Sequence, residues 1–381
     1  MSFSDLKTPS LILDREVLLR NCAAMSQRMR RLGVRLRPHM KTAKSAAVAE
    51  LATEGNFGGI TVSTLAEAAY FAARGFRDVT YAVGIVPAKV DEAAEVARTG
   101  CRLSLITDDL ATIREVAARA ESLRWKQGTQ FPVLIEIDTG GTRGGVLPDS
   151  DALIETARFL TSSNALELEG VLTHAGHSYH SRDVAEVRRI AKQERDGITR
   201  AAARLRGDGM QCPVVSGGST PTATHVEDLE GVTEMRPGVY MFGDLDQVAL
   251  GSCAVEDVAL SVLATVIGQN RRAGRILIDA GALALSKDVS ANAHRFNHAL
   301  GAVGYGRIVG FEGLYVESVH QEHGLIAAAD GVALRFDELA IGQQLRILPN
   351  HACITAAAHA CYHVVEGDDE VLDEWDRVNG W

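Results

Sequence analysis

The sequence predicts a (β/α)8 barrel joined to a largely antiparallel β domain, and three observations carry that expectation. Between Val34 and Tyr240 short apolar strands alternate with amphipathic helices about eight times in roughly 210 residues, the size of a closed eight-stranded barrel. Beyond Gly251 strand-like runs continue, but the helices between them stop. A doubly wound open sheet is the alternative for the first part, yet eight parallel units in one unbroken sheet would be unusual for it. The division that follows is residues 15–245 for the barrel, and residues 1–14 with 246–381 for the β domain.

The elements can be justified in order. Thr8 to Asp14 reads as a strand, assigned to the β domain because a barrel needs only the helix that follows it. That helix runs from Arg15 to Leu32, with Leu18, Cys22, Met25, Met29 and Leu32 on one face at alternating spacings of four and three. Gly33 to Leu36 is a short strand that Pro38, lacking an N–H, brings to an end, and helical spacing resumes at Ala46. Then come Gly59 to Val62 with a helix over Leu65 to Ala73, Val79 to Val83 with Ala88 to Arg98, and Arg102 to Ile106 with Asp109 to Leu123. Pro132 to Asp138 precedes a helix from Ser150 to Thr161, and Glu169 to Thr173 a long one from Asp183 to Leu205. Pro213 to Ser216 and a last unit from Gly231 to Tyr240 complete the series. In the β domain the strands are Val258 to Ile267, Arg275 to Asp279, Ala302 to Gly304, Leu314 to Val319 and Gln344 to Leu348.

Composition narrows the function. The 381 residues are 46% hydrophobic and 23% charged, as in an ordinary globular protein. With 39 basic against 49 acidic residues the net charge is −10, which argues against nucleic acid or an anionic membrane as partner and for a small molecule. No basic-then-apolar leader opens the chain, and the apolar run Val258 to Gly268, broken by Ser261 and Thr265, is too short to cross a bilayer. Six scattered cysteines without framework spacing fit a reducing cytoplasm.

Five stretches carry candidate chemistry. The corner Leu36-Arg37-Pro38-His39-Met40-Lys41-Thr42-Ala43-Lys44-Ser45 puts Lys41 where a barrel exposes its active groups, a place for a Schiff-base amine; two solvated lysines at a helix start are the plainer reading. Ser216-Gly217-Gly218-Ser219-Thr220 after a strand could cup a phosphate or be a tight polar turn. Asp138 to Val146, with four glycines around Arg143, is a ligand-approach loop or a mobile surface loop. Thr173-His174-Ala175-Gly176-His177-Ser178-Tyr179-His180 offers a cofactor wall in His174 or His177 and a substrate-facing hydroxyl in Tyr179; it fits no common zinc spacing. In Pro349-Asn350-His351-Ala352-Cys353, alternation on an extended segment would put His351 and Cys353 on one side, able to share a metal, though such a pair also arises by chance.

Taken together these motifs resemble the fold-type III pyridoxal-phosphate enzymes, in the branch that holds D-threonine aldolase and D-serine dehydratase. The likeness runs through Arg37-Pro38-His39-Met40-Lys41-Thr42, Arg143-Gly144-Gly145-Val146, His174-Ala175-Gly176-His177, Gly217 to Thr222, Arg236-Pro237-Gly238-Val239-Tyr240, Asp279-Ala280-Gly281, Gln321-Glu322-His323-Gly324 and Pro349 to Cys353. The resemblance implies an alanine racemase N-terminal type barrel of the TIM kind. It implies pyridoxal 5'-phosphate bound covalently to Lys41, with Gly218, Ser219, Thr220 and Tyr240 on its phosphate and Arg143 and His174 beside its ring. It also implies a divalent metal on His351 and Cys353, a homodimer, and a D-amino acid substrate. Aldolases of this branch carry a His-x-Asp pair, whereas the dehydratases of D-serine and D-threo-3-hydroxyaspartate carry His-x-Cys, as here, and Cys361-Tyr362-His363 extends the similarity to the latter. Thiolate ranks zinc ahead of manganese, cobalt or magnesium. The implied reaction is dehydration and deamination of a D-3-hydroxy amino acid to a 2-oxo acid and ammonia, with Lys41 as base. The alternative is aldol cleavage to glycine and an aldehyde, with His177 as base at the hydroxyl. A racemase would need no metal pair, and a non-catalytic cofactor carrier would need no second domain. Among spare cations for a second substrate carboxylate, Lys44, Arg295 and Arg307 cannot be placed from sequence.

Overall fold

The structure, a computed structural model, describes residues 1–123, 130–293, 300–367 and 369–381. Arg295 lies outside the described residues. The chain forms two compact units: a barrel unit of Met25–Tyr179, Ala185–Gly238 and Gly380–Trp381, and a β unit of Met1–Ala24, His180–Val184 and Val239–Asn379.

In the barrel unit eight strands are parallel throughout, in the order Arg35–Leu36, Glu234–Met235, Val214–Gly217, Leu166–Leu172, Phe131–Glu136, Arg102–Thr107, Asp78–Gly84 and Ile60–Val62. A parallel bridge between His39 and Thr61 joins the two ends, with the Met40 amide donating to the Thr61 carbonyl at 2.7 Å and the Thr61 amide to the Pro38 carbonyl at 2.9 Å. The expected (β/α)8 architecture is thus the one formed, rather than an open sheet. Strands such as Ile60–Val62, buried at every position, behave as parallel strands covered on both faces. The helices present one apolar face: Val90–Arg98 buries Val90, Ala93, Ala94 and Val96. Their starts are set by side chains, since Thr64 accepts from the Glu67 amide and Asp109 from the Thr112 amide. At Gly170, φ is +153° and a Cβ would sit 1.9 Å from the Val214 carbonyl oxygen, so only glycine lets those neighbouring strands approach. The last unit is shorter than its spacing suggests. It is a two-residue strand, Glu234–Met235, ended before Pro237.

The β unit holds a nine-stranded sheet in the order Arg275–Ile278, Gly324–Ala328, Leu314–Val319, Gly306–Ile308, Gln344–Pro349, Leu260–Asn270, Ser10–Asp14, Cys361–Val365 and Asp373–Asp376. Arg275–Ile278 also pairs with Leu260–Asn270, so the first six strands close on themselves. The N-terminal strand pairs antiparallel with Leu260–Leu263 and parallel with His363–Val365. Three expectations need correction. The strand placed at Ala302 to Gly304 lies instead at Gly306–Ile308, because Gly304 (φ +50°) is pressed against the Val316 carbonyl in an isolated bridge. Strands Gly324–Ala328, Cys361–Val365 and Asp373–Asp376 were not expected; their histidines, glycines and acids weaken the alternation that marks a strand. Short helices, Ala282–Leu285 and Ala352–Ala357, interrupt what read as strands alone.

Candidate active site

Each of the eight barrel strands delivers its C-terminal end to one cavity of about 360 Å³, the face on which barrels of this kind carry their chemistry. The lining comprises His39 and Lys41, Ser63, Ala82 to Gly84, Asp108, Glu136 with Arg143 and Gly144, Leu172 with His174, Gly218, and Arg236. Among the residues singled out from sequence, Lys41, Arg143, His174 and Gly218 therefore come together. Ser219, Thr220, His177 and Tyr179 are not among the lining residues, and Tyr240 belongs to the β unit, buried on the turn Val239–Met241.

The lysine corner separates its two amines by role. Lys41 stands exposed in a turn, five residues before the helix Ala46–Thr53, which Ser45 precedes as N-cap. It is therefore not in the first turn of that helix. Lys44 is no solvated lysine: its φ is +50°, its side chain is 16% exposed, and its Nζ lies 2.9 Å from Oε1 of the fully buried Glu67. Glu67 also accepts from the Ser63 amide and hydroxyl, both at 2.9 Å. Lys44 thus locks the corner from which Lys41 projects, and it is unavailable as a spare cation. Arg307, the other candidate, sits in the β-unit strand Gly306–Ile308 opposite Tyr315 and Leu348.

Around Lys41 the imidazoles are neutral. The Lys41 amide donates to Nδ1 of His39 at 3.4 Å, which requires that nitrogen to be unprotonated. Burial, then the charges of Lys41 and Arg236, hold the His39 pKa well below its ordinary value. His174, its Nδ1 3.3 Å from the Gly218 carbonyl, is driven down to about 3 by burial and then by Lys41 and Arg143. Burial raises the Glu136 carboxyl, and Arg143, 68% exposed, approaches it at 4.0 Å.

The Arg143 loop is held in shape. Asp138 Oδ1 accepts the amides of Gly140 at 2.8 Å and Thr142 at 3.2 Å, and Asp108 accepts the Gly145 amide at 2.9 Å. In the Gly218 loop the amides are already engaged: that of Gly218 donates to Glu194 at 3.0 Å and that of Ser219 to Thr222 Oγ1 at 2.9 Å. The Ser219 hydroxyl caps the helix Thr220–His225 and lies 2.9 Å from Ser178 Oγ. At Gly218, φ is +104° and a Cβ would meet Met235 Cε at 2.8 Å, so the cavity wall here must be glycine. His177 and Tyr179 share a 3-10 turn, Gly176–His180, with the Tyr179 ring 6.5 Å from that of His174.

Sequence reasoning passed over three groups. Arg236 is 4% exposed, donates to Ser216 Oγ at 2.5 Å and to the Thr173 carbonyl at 2.7 Å, and is pulled down to about 10 by burial. Its Nε is buried and has no hydrogen-bond partner among the described residues. His39, like Arg236, was quoted only as part of a motif. Glu194 interrupts the apolar face of the helix Val184–Gly207, flanked on that face by Ile190, Ala191 and Ile198, and this lone buried acid was the available signal. Cavity size, an accessible amine, neutral imidazoles and the two arginines of the lining together fit pyridoxal phosphate.

The second candidate centre lies in the β unit, and its backbone differs from the expectation. His351 is extended but is the N-cap of the helix Ala352–Ala357, so Cys353 lies in a first helical turn and not on a strand. The two still meet: burial opposes protonation of His351, but hydrogen bonds to Asp288 and Cys353 outweigh it and raise the pKa to about 11. His351 Nδ1 lies 2.8 Å from Asp288 Oδ2, and this contact holds the Asp288 carboxyl well below the usual range. Asp244, fully buried and pushed up to about 7 by burial, accepts the Ala352 amide at 2.9 Å and steadies the same turn. An imidazole oriented through Nδ1 by a carboxylate, next to a thiol, is a donor set that fits a divalent metal.

Comparison with known proteins gives these centres a context. Residues 13–246 match the alanine racemase N-terminal domain and residues 259–365 a putative serine dehydratase domain. The chain is 44% identical over 383 residues to D-threo-3-hydroxyaspartate dehydratase of Delftia sp. (strain HT23), covering 99% of this chain and 98% of that one. The solved structure of that enzyme superposes with a TM-score of 0.93 over the whole of both chains, and another of its structures is a C353A mutant in the metal-free form. D-serine dehydratase of Dictyostelium discoideum is 30% identical over 99% of this chain and 98% of its own. 3-Hydroxy-D-aspartate aldolase of Paracoccus denitrificans (strain Pd 1222) is 27% identical over 95% and 89%.

Proposed function

This chain belongs to the fold-type III pyridoxal-phosphate enzymes, and we propose that it is a metal-dependent ammonia-lyase. Its substrate is a D-3-hydroxy amino acid, D-threo-3-hydroxyaspartate or D-serine, and its products are a 2-oxo acid and ammonia. The observation that carries this reading is the His351–Cys353 pair, with Asp288 on Nδ1 of the imidazole, in a chain whose barrel cavity is lined by Lys41. Identity of 44% to a D-threo-3-hydroxyaspartate dehydratase, against 27% and 30% to aldolases, supports it.

When bound, the cofactor ring would supply a sink for the electron pair left at Cα, and the metal a Lewis acid for the departing β-hydroxyl. Lys41 would hold the cofactor through Nζ, and the same nitrogen is the base placed to take a proton from Cα. His39 and His174, kept neutral, line the cavity with Lys41 without adding positive charge to it. Arg143 and Arg236 balance negative charge on the bound molecule. The resemblance assigns the phosphate to Gly218, Ser219, Thr220 and Tyr240, of which Gly218 lines the cavity, and the substrate-facing hydroxyl to Tyr179. His351 and Cys353 hold the metal; thiolate favours zinc. His177 is the base in the aldolase alternative. The active form is a cytoplasmic homodimer, which light scattering of the purified protein and fractionation of cells would check.

The test is a panel of D-serine, D-threonine and both 3-hydroxyaspartates, with and without EDTA. Ammonia and oxo-acid release abolished by chelator is the expected result. Glycine and an aldehyde as products would replace this reading by aldol cleavage.

A further inference from the structure

The terminal strand of the β unit carries a second set of ligand-type side chains that the reaction does not use. Cys361–Val365 pairs antiparallel with Asp373–Asp376, His363 opposite Glu374 and Cys361 opposite Asp376. Residues two apart on a strand, and residues directly across a ladder, share a face. Cys361, His363 and Glu374 therefore project together, and one ligating atom from each lies within 4.8 Å of the other two. His363 Nδ1 is 3.6 Å from Glu374 Oε2.

We propose that Cys361, His363 and Glu374 form a second divalent-metal site, of the zinc class, which clips the terminal strand to the sheet. Sulfur, imidazole and carboxylate are the three donor types zinc takes, and bond lengths of that ion place ligand atoms about 3.3–3.8 Å apart on a tetrahedron. The 3.6 Å between His363 Nδ1 and Glu374 Oε2 already falls in that range, and the bound of 4.8 Å on the other separations stands about 1 Å beyond it. His363 and Cys361 are partly buried while Glu374 is 64% exposed, so the ion has an entry path and water can fill a fourth position. Binding would release the proton of the Cys361 thiol and leave a thiolate and a carboxylate around the cation.

The clip has a structural purpose. Asp373–Asp376 is an edge strand, held on one side only, and its exposed acids already disfavour pairing with another chain. A metal bridging it to Cys361 and His363 would fix its register at the position where His363 faces Glu374.

Metal content decides the matter. Metal-free full-length protein is dialysed against Zn²⁺ and the bound ion measured in wild type, Cys361→Ser, Glu374→Gln and Cys353→Ser. Cys361→Ser and Glu374→Gln should each lose about one equivalent per chain, together with the zinc-dependent rise in unfolding temperature, while ammonia release per active site stays at the wild-type level. Cys353→Ser should lose a different equivalent and the activity. Since Glu374 is exposed on an edge, its variant folds even if Cys361→Ser does not. Wild-type zinc content in both Cys361→Ser and Glu374→Gln would overturn the proposal and leave the His363–Glu374 approach an ordinary side-chain contact, whatever Cys353→Ser does.

Discussion

A single carboxylate oxygen of Glu194 accepts the amide of Ala175 at 2.9 Å and that of Gly218 at 3.0 Å, tying the loop that carries His174 to the loop that walls the cavity. Removing it leaves two buried N–H groups unsatisfied, each costing roughly 1–3 kcal/mol. Glu194→Ala should therefore lower the unfolding temperature and weaken pyridoxal-phosphate binding, whereas Glu194→Gln, which keeps a carbonyl oxygen, should lose less of both. Thermal unfolding alongside a cofactor titration by absorbance checks the pair.

Two lysines three residues apart should respond in opposite ways. Lys44→Ala strips the partner from the fully buried Glu67, a loss on the order of 3–5 kcal/mol. Lys41→Ala removes an exposed side chain and should leave stability within about 0.5 kcal/mol of wild type while abolishing turnover. Denaturant unfolding and borohydride reduction with peptide mapping read the two effects. A cofactor-derived label on Lys44 in place of Lys41 would reverse the roles assigned here.

Acid should destabilise the barrel unit through His174. Its pKa is about 3 when folded and about 6.5 when unfolded, so the imidazole is neutral in both states above pH 6.5 and contributes nothing there. As pH falls below 6.5 the unfolded chain takes up a proton that the folded one refuses, and stability drops until about pH 3. The loss at pH 5 is at most about 2 kcal/mol. His174→Asn should flatten the stability profile between pH 6.5 and 5, measured by urea unfolding of the cofactor-free protein, and an unchanged slope would remove His174 from this account.

Metal affinity should depend on Asp288, whose Oδ2 lies 2.8 Å from Nδ1 of His351. Asp288→Asn should weaken binding at that centre by about 10–100-fold, because the imidazole loses the partner that orients it and enriches its donor nitrogen. A competition titration with a chelating dye gives the number, and wild-type affinity in the variant would show that Asp288 does not act through His351.

The barrel was legible because its signals are local: apolar periods of two and 3.6 residues depend only on neighbours along the chain, and helices such as Leu65–Ala73 begin and end where the spacing places them. Lys41, Arg143, His174 and Gly218 were legible for a related reason, since each follows a strand and a parallel barrel brings every such end to one face. Three dimensions were needed wherever a role depends on a partner distant in sequence. Lys44 differs from Lys41 only because Glu67 lies beneath it, and Glu194 matters only because two loops fold back upon it. The amides of Gly218 and Ser219 look free in the sequence and are engaged in the structure, and Cys353 reaches His351 from a helical turn instead of a strand. Periodicity registers burial of apolar surface, which repeats along the chain; hydrogen bonds and ion pairs across the fold have no period, and they settle which of several identical side chains does the chemistry.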